Sequence, residues 1–242
     1  MENSIKKTAR IGGVLYLIII VAGIFAEIFV RGKLIVSGDA TATANNIKAS
    51  ELLFRIGFVA GLIMLVCDVI LTLIFYILLR PISRDISLLA AFFRLVSIAV
   101  LGINLLNHFA ALFPLGGADY LKVLEPHQLH ALAYLSLKSH ESGYNISLLF
   151  FGFHCLVLGY LLFRSVYFSR ILGVLLTITG LCYLINSFSW FLVPTFATNI
   201  YPGILLPCLI GELSLSLWLL FKGIKTKGQH ELGNRGVEAV LH

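Results

Sequence analysis

The sequence predicts an all-α membrane protein, a polytopic bundle of six transmembrane helices. Three observations lead there. Of 242 residues, 59% are hydrophobic and only 12% charged, against about 45–50% and about 25% in ordinary soluble domains. Mean hydropathy is +0.95. Six apolar runs occupy residues 11–30, 52–79, 88–113, 144–162, 171–191 and 203–221. Each is long enough to cross a hydrocarbon core of about 30 Å as a helix. Strict apolar–polar alternation is absent, which argues against an outer-membrane barrel. The abundance of Leu, Ile, Val and Phe excludes disorder. Four cysteines in so long a chain exclude a disulfide scaffold, and all four fall in or beside apolar runs as small buried hydrophobes.

The first run follows Lys6, Lys7 and Arg10, as the core of a signal peptide would. Ile24 stands where a small residue would have to precede cleavage after Ala26, so an uncleaved helix is expected. Spans two and three are joined by Arg80-Pro81-Ile82-Ser83-Arg84-Asp85, and spans four and five by residues 164–170. Connections this short make antiparallel neighbours. The connections on the other side are long, 31–51 and 114–143. Loops beyond about 12–15 residues are usually functional or disordered. In the second, Leu129, Leu132, Ala133, Leu135 and Leu137 follow Glu125-Pro126, which predicts a short interfacial helix over the outer face. The chain thus divides into an N-terminal segment (1–10), a six-helix transmembrane domain (11–222) and a polar tail (223–242).

Lys and Arg set the orientation. Eleven lie on the side holding Lys6, Arg80, Arg164 and Lys222, and five lie opposite: Arg31, Lys33, Lys48, Lys122 and Lys138. The richer side is expected to be cytoplasmic, with both termini. The net charge of +6 is scattered between apolar runs and gathers on no single face, so no nucleic-acid partner is expected. The expected partners are membrane lipids and a lipid-like or small-molecule ligand. No feature of the sequence sets an oligomeric state. One internal echo aligns Arg10-Ile11-Gly12-Gly13-Val14-Leu15 with Arg170-Ile171-Leu172-Gly173-Val174-Leu175. It sets Glu27 opposite Ser187, next to Asn186, as a duplicated hairpin would.

Four stretches carry a resemblance. They are Ala9-Arg10-Ile11-x-Gly13-Val14-Leu15-Tyr16-Leu17, Leu78-Leu79-Arg80-Pro81, Ala90-Ala91-Phe92-Phe93-Arg94-Leu95 and Gly211-Glu212-Leu213-Ser214. Together they resemble a bacterial membrane-protein family, domain of unknown function 4386, over about residues 9–224. The resemblance implies a bacterial cytoplasmic (inner) membrane and carries no activity.

Function must therefore be argued from polar residues inside the spans, which are costly in lipid and usually face the bundle interior. Every span carries a polar stripe. Folding the second hairpin about Ser83 sets Arg94 one turn from Asp68, so a structural Asp68–Arg94 ion pair is expected. Glu27 has Arg31 one turn on, a rim ion pair. His154 and Glu212 fall near the midplane without local partners, which makes them the candidate catalytic pair. A deep carboxyl group suits general-acid work and an imidazole a proton relay. Glu27, Asn107, His108, Tyr144 and Asn186 fall in the outer third and are the candidate substrate-binding groups. Together these seven would line a cavity opening outward beneath the long loops.

No metal-binding spacing such as HExxH appears, and His127-x-x-His130 sits on the expected interfacial helix, so neither metal nor cofactor is expected. GxSxG, Walker and dinucleotide fingerprints are absent. Three readings remain open. One is an intramembrane enzyme acting on a lipid or isoprenoid by acid/base chemistry. The others are a proton-coupled or other carrier, for which Pro207 hints at a broken helix, and a non-catalytic module binding a lipid or partner.

Overall fold

A computed structural model describes residues 2–223, so all but the first residue of the expected polar tail lies outside the described residues. Helices account for every regular element among them. In lipid only such internally bonded backbone survives. Helix α1 (Glu2–Ile24) continues without a break through a π-helical stretch, Phe25–Arg31, into a last turn, α2 (Gly32–Leu34). There follow α3 (Ala40–Ala49), α4 (Glu51–Leu79), α5 (Arg84–Ala110), α6 (Pro126–Arg164), α7 (Arg170–Leu192), α8 (Pro194–Ile200) and α9 (Leu205–Phe221). Five of the resulting rods are long and apolar enough to cross a membrane. Helices α8 and α9, bent by 56° at their junction, make the sixth candidate. The chain is a multi-pass membrane protein.

Two expectations are revised. The segment after Glu125 is not a separate interfacial helix. It is the first half of α6, opened by a capping box between Glu125 and Gln128 with Pro126 in the first turn. At about 1.5 Å per residue this 39-residue helix is about 58 Å long, far more than a bilayer core. The long connection 31–51 is likewise ordered. Asp39 Oδ1 accepts from the Ala42 amide at 2.8 Å and starts α3, whose Thr43, Ala44 and Ile47 are buried. Gly38, at φ 79°, turns the chain into it and donates its amide to Tyr134 Oη of α6 at 2.8 Å.

The helices close into a ring: α1 packs on α4, α4 on α5, α5 on α6, α6 on α7, α7 on α9, and α9 back on α1. The short hairpins 79–84 and 164–170 lie at one end, here the hairpin end. The opposite, capped end carries α2, α3 and α8. Glycine lets the backbones touch. A Cβ on Gly159 or Gly173 would meet the other's carbonyl oxygen at 2.8 or 2.7 Å, and one on Gly13 would meet the Leu220 amide at 2.7 Å. The ring is filled by Tyr16, Leu71, Phe75, Cys155, Leu158, Leu215 and Leu219.

Candidate functional site

Polar side chains cross the ring in two layers. The deeper one centres on Arg94, which is completely buried. Its Nε donates to Asp68 Oδ1 at 2.7 Å, and Nη2 pairs with the same oxygen. Nη1 meets His154 Nε2 at 2.8 Å, while His154 Nδ1 meets the Ala90 carbonyl at 2.8 Å. A carbonyl only accepts and a guanidinium only donates, so His154 is the neutral Nδ1–H tautomer with both nitrogens engaged. The rings of Tyr16, Phe75 and Phe151 surround the guanidinium, with centroids 5.1–5.5 Å from Cζ. This joins α1, α4, α5 and α6 at one point. His154 is ten residues from the end of α6, about 15 Å deep from the hairpin end.

Glu212, on α9, is also buried and accepts from Tyr183 Oη at 2.5 Å. It neither faces lipid nor forms an ion pair among the described residues.

The second layer lies fourteen residues away along α6, about 21 Å nearer the capped end. Arg31, at the end of the π-helical stretch, grips Glu27 through Nε, at 3.0 Å, and Nη2. Its Nη1 meets His140 Nε2, and its Cζ lies 5.3 Å from the Tyr144 ring centroid. His140 Nδ1 meets the Asn104 carbonyl at 3.1 Å, and Asn104 Nδ2 returns a bond to the His140 carbonyl at 2.8 Å. The contacts of His154 are therefore repeated at His140.

This layer forms one wall of a cavity of about 390 Å³, within the usual range for ligand pockets. Along α6 the lining runs from Tyr134 to Leu148. Measured from the hairpin end, that is about 24 to 45 Å along the helix, against about 30 Å for a hydrocarbon core. Trp190, Tyr201, Leu205 and Ile35 add apolar wall, and Lys138 and Glu141, paired at 2.8 Å, stand at its edge. Asn186 donates to Asn145 at 2.9 Å on the floor.

Of the seven expected lining residues, Glu27, Tyr144 and Asn186 face this cavity and four do not. Asn107 turns to Asn104, with Nδ2 3.1 Å from Oδ1. His108 lies behind the wall, stacked on Phe54 at 4.1 Å and edge-on to His140 at 5.4 Å. His154 is held by Arg94, and Glu212 by Tyr183, below the floor. Asp68 and Arg94 form an ion pair. His130, of the His127/His130 pair, meets Thr41 Oγ1 at 3.4 Å. No group of three or more His, Cys, Asp or Glu suited to a metal occurs among the described residues. Sequence reasoning missed His140, Asn145, Trp190 and Tyr201. His140 and Asn145 were legible as polar positions of the same helix, had it been extended past Gly143.

The chain is similar to an uncharacterized protein of Archaeoglobus fulgidus, 27% identical over 163 residues that cover 67% of this chain and 81% of the relative. No solved structure matches it. The model of the family described as domain of unknown function DUF4386 matches residues 11–223, so the chain belongs to that family.

Proposed function

We propose that the protein is a membrane-embedded binding module that holds a small amphipathic, lipid-like molecule at its capped end. The observation that carries this is the cavity of about 390 Å³ toward the capped end, walled by aromatic and aliphatic side chains around a few fixed polar groups. The excess of Lys and Arg at the hairpin end supports a cytoplasmic location for that end and an outward-facing cavity, in the cytoplasmic membrane of a bacterium or another prokaryote. Acid/base catalysis by Glu212 and His154 is the weaker reading. His154 has no free nitrogen, and neither residue lines the cavity.

Native mass spectrometry of the purified protein tests the proposal. A retained small-molecule adduct is expected, and Leu148→Trp, which fills the floor, should remove it. An adduct-free wild-type protein that also binds no added amphiphile would refute the module. A second reading, a carrier of the same molecule, is favoured by the bend between α8 and α9, where Tyr201 and Leu205 line the cavity. It requires a polar opening at the hairpin end, which cysteine labelling from that side would detect.

A further inference from the structure

We infer that the molecule held in the cavity carries an anionic headgroup, a carboxylate or a phosphate, bound by the open edge of Arg31. This rests on the binding module proposed above and names its ligand class. A guanidinium has five N–H donors. Arg31 commits three among the described residues: Nε and Nη2 to Glu27, and Nη1 to His140. One N–H on each terminal nitrogen is left, and carboxylates and phosphates are the acceptors that a guanidinium bonds most strongly.

The surroundings favour the same charge. Tyr144 and Tyr201 line the cavity close enough to interact electrostatically with Arg31. Neither hydroxyl makes a hydrogen bond among the described residues, so both can donate to an anion. The acidic groups are already spent, Glu27 on Arg31 and Glu141 on Lys138. An ammonium headgroup would find no unpaired carboxylate among the described residues that line the cavity.

The deeper layer supplies an internal comparison. Arg94 and Arg31 both bond a histidine of α6, but they obtain their carboxylates differently. Arg94 receives Asp68 from a facing helix, α4. Arg31 has only Glu27, one turn back on its own rod, and the cavity opens beside it. A ligand anion would supply a second, facing acceptor for the donors that Glu27 leaves open. Its alkyl chain would then lie against Ile35, Leu137, Leu148 and Leu205.

The chain has two tryptophans, Trp190 in the cavity wall and Trp218 on α9. Trp218→Phe leaves Trp190 as a lone fluorescent reporter. The experiment titrates this protein, in nanodiscs, with chain-brominated dodecanoate, dodecyl phosphate, dodecanol and dodecylamine, and reads saturable quenching. Either anion should bind about tenfold more tightly than the alcohol or the amine. Arg31→Gln should erase the preference, and Arg31→Lys should restore part of it. If the substituted chains do not fold, the headgroup series on the Trp190 reporter decides alone. Excess acetate or inorganic phosphate is then added. Displacement of the bromo-anion by these would mark a soluble anion as the source, and persistence an amphiphile. Equal binding of all four headgroups, or preference for the amine, would overturn the anionic class and leave the module standing. No saturable quenching by any of them would overturn the module itself.

Discussion

His140 and His154, two residues of one helix, make the same two contacts fourteen positions apart. In each, Nδ1 donates to a carbonyl of α5 and Nε2 accepts from an arginine. Between them Ser147 bonds Ser97 at the same register, with hydroxyls 2.9 Å apart. The α5–α6 seam therefore pairs Ala90, Ser97 and Asn104 with His154, Ser147 and His140, stepping by seven residues on each helix. A seven-residue step is the repeat that keeps two helices in contact along one seam. Polar seams of this kind replace the hydrophobic drive that lipid does not supply.

The Arg94 layer is expected to be structural. Asp68→Asn or Arg94→Gln should each cost about 3–5 kcal/mol by stranding a buried charge. The double change Asp68→Leu with Arg94→Met should recover a large part of that loss. Thermal melting of the detergent-solubilised protein is the measurement. A double variant no more stable than either single one would show that the layer does more than balance charge.

Tyr183→Phe removes the hydroxyl that donates to Glu212 and should cost about 1–3 kcal/mol in the same melt. Glu212→Gln keeps an acceptor for Tyr183 and should be milder. It should also leave ligand retention unchanged, since Glu212 is not in the cavity wall. Loss of the retained adduct in Glu212→Gln would return this residue to the site.

The glycine contacts can be ranked. Gly173→Ala puts a methyl group against the Gly159 carbonyl and the Phe163 amide, two backbone atoms that cannot move aside, and should cost about 1–3 kcal/mol. Gly102→Ala meets only Leu65 Cδ1, at 3.6 Å, and should stabilise by about 0.5–1 kcal/mol through helix propensity. Equal melting shifts would mean that the α6–α7 distance adjusts freely.

The topology is tested in a cysteine-free background. Ser37→Cys, beside the cavity, should react with an impermeant maleimide added to intact cells. A cysteine placed at Ser83, in the hairpin 79–84, should react only after lysis. The reverse pattern would invert the orientation.

Much of this architecture was legible because lipid leaves the chain few choices. Apolar length placed the spans, and the short hairpin with Arg94 and Asp68 on facing positions placed their pair. The cavity was less legible for a specific reason. Residues 138–145, Lys-Ser-His-Glu-Ser-Gly-Tyr-Asn, interrupt the hydropathy of α6, so the helix appeared to begin at Tyr144. Those side chains are polar because several of them, Lys138, His140, Glu141, Tyr144 and Asn145, line the cavity. The feature that hid the helix boundary is thus the site itself. His154 and Glu212 looked unpartnered because their partners, Arg94 and Tyr183, come from other helices. Separation along the chain conceals such pairs from any local reading. At the aligned positions, Gly13 and Gly173 are each pressed against a neighbouring backbone, whereas Ser187, opposite Glu27, is buried outside the cavity wall.

The closed ring also dictates an order of assembly. Five of its six joints connect helices that follow one another along the chain, and these can form as each hairpin enters the bilayer. The sixth, α1 against α9, brings Ser216 Oγ to the Gly13 carbonyl at 3.0 Å across 203 residues of sequence. Until α9 is synthesised, the glycine-notched flank of α1 faces lipid, and Tyr16 lacks the wall that completes its burial. Ring closure is thus the late, long-range step of biogenesis. A chain stopped before Leu205 should accumulate as an open, protease-sensitive arc.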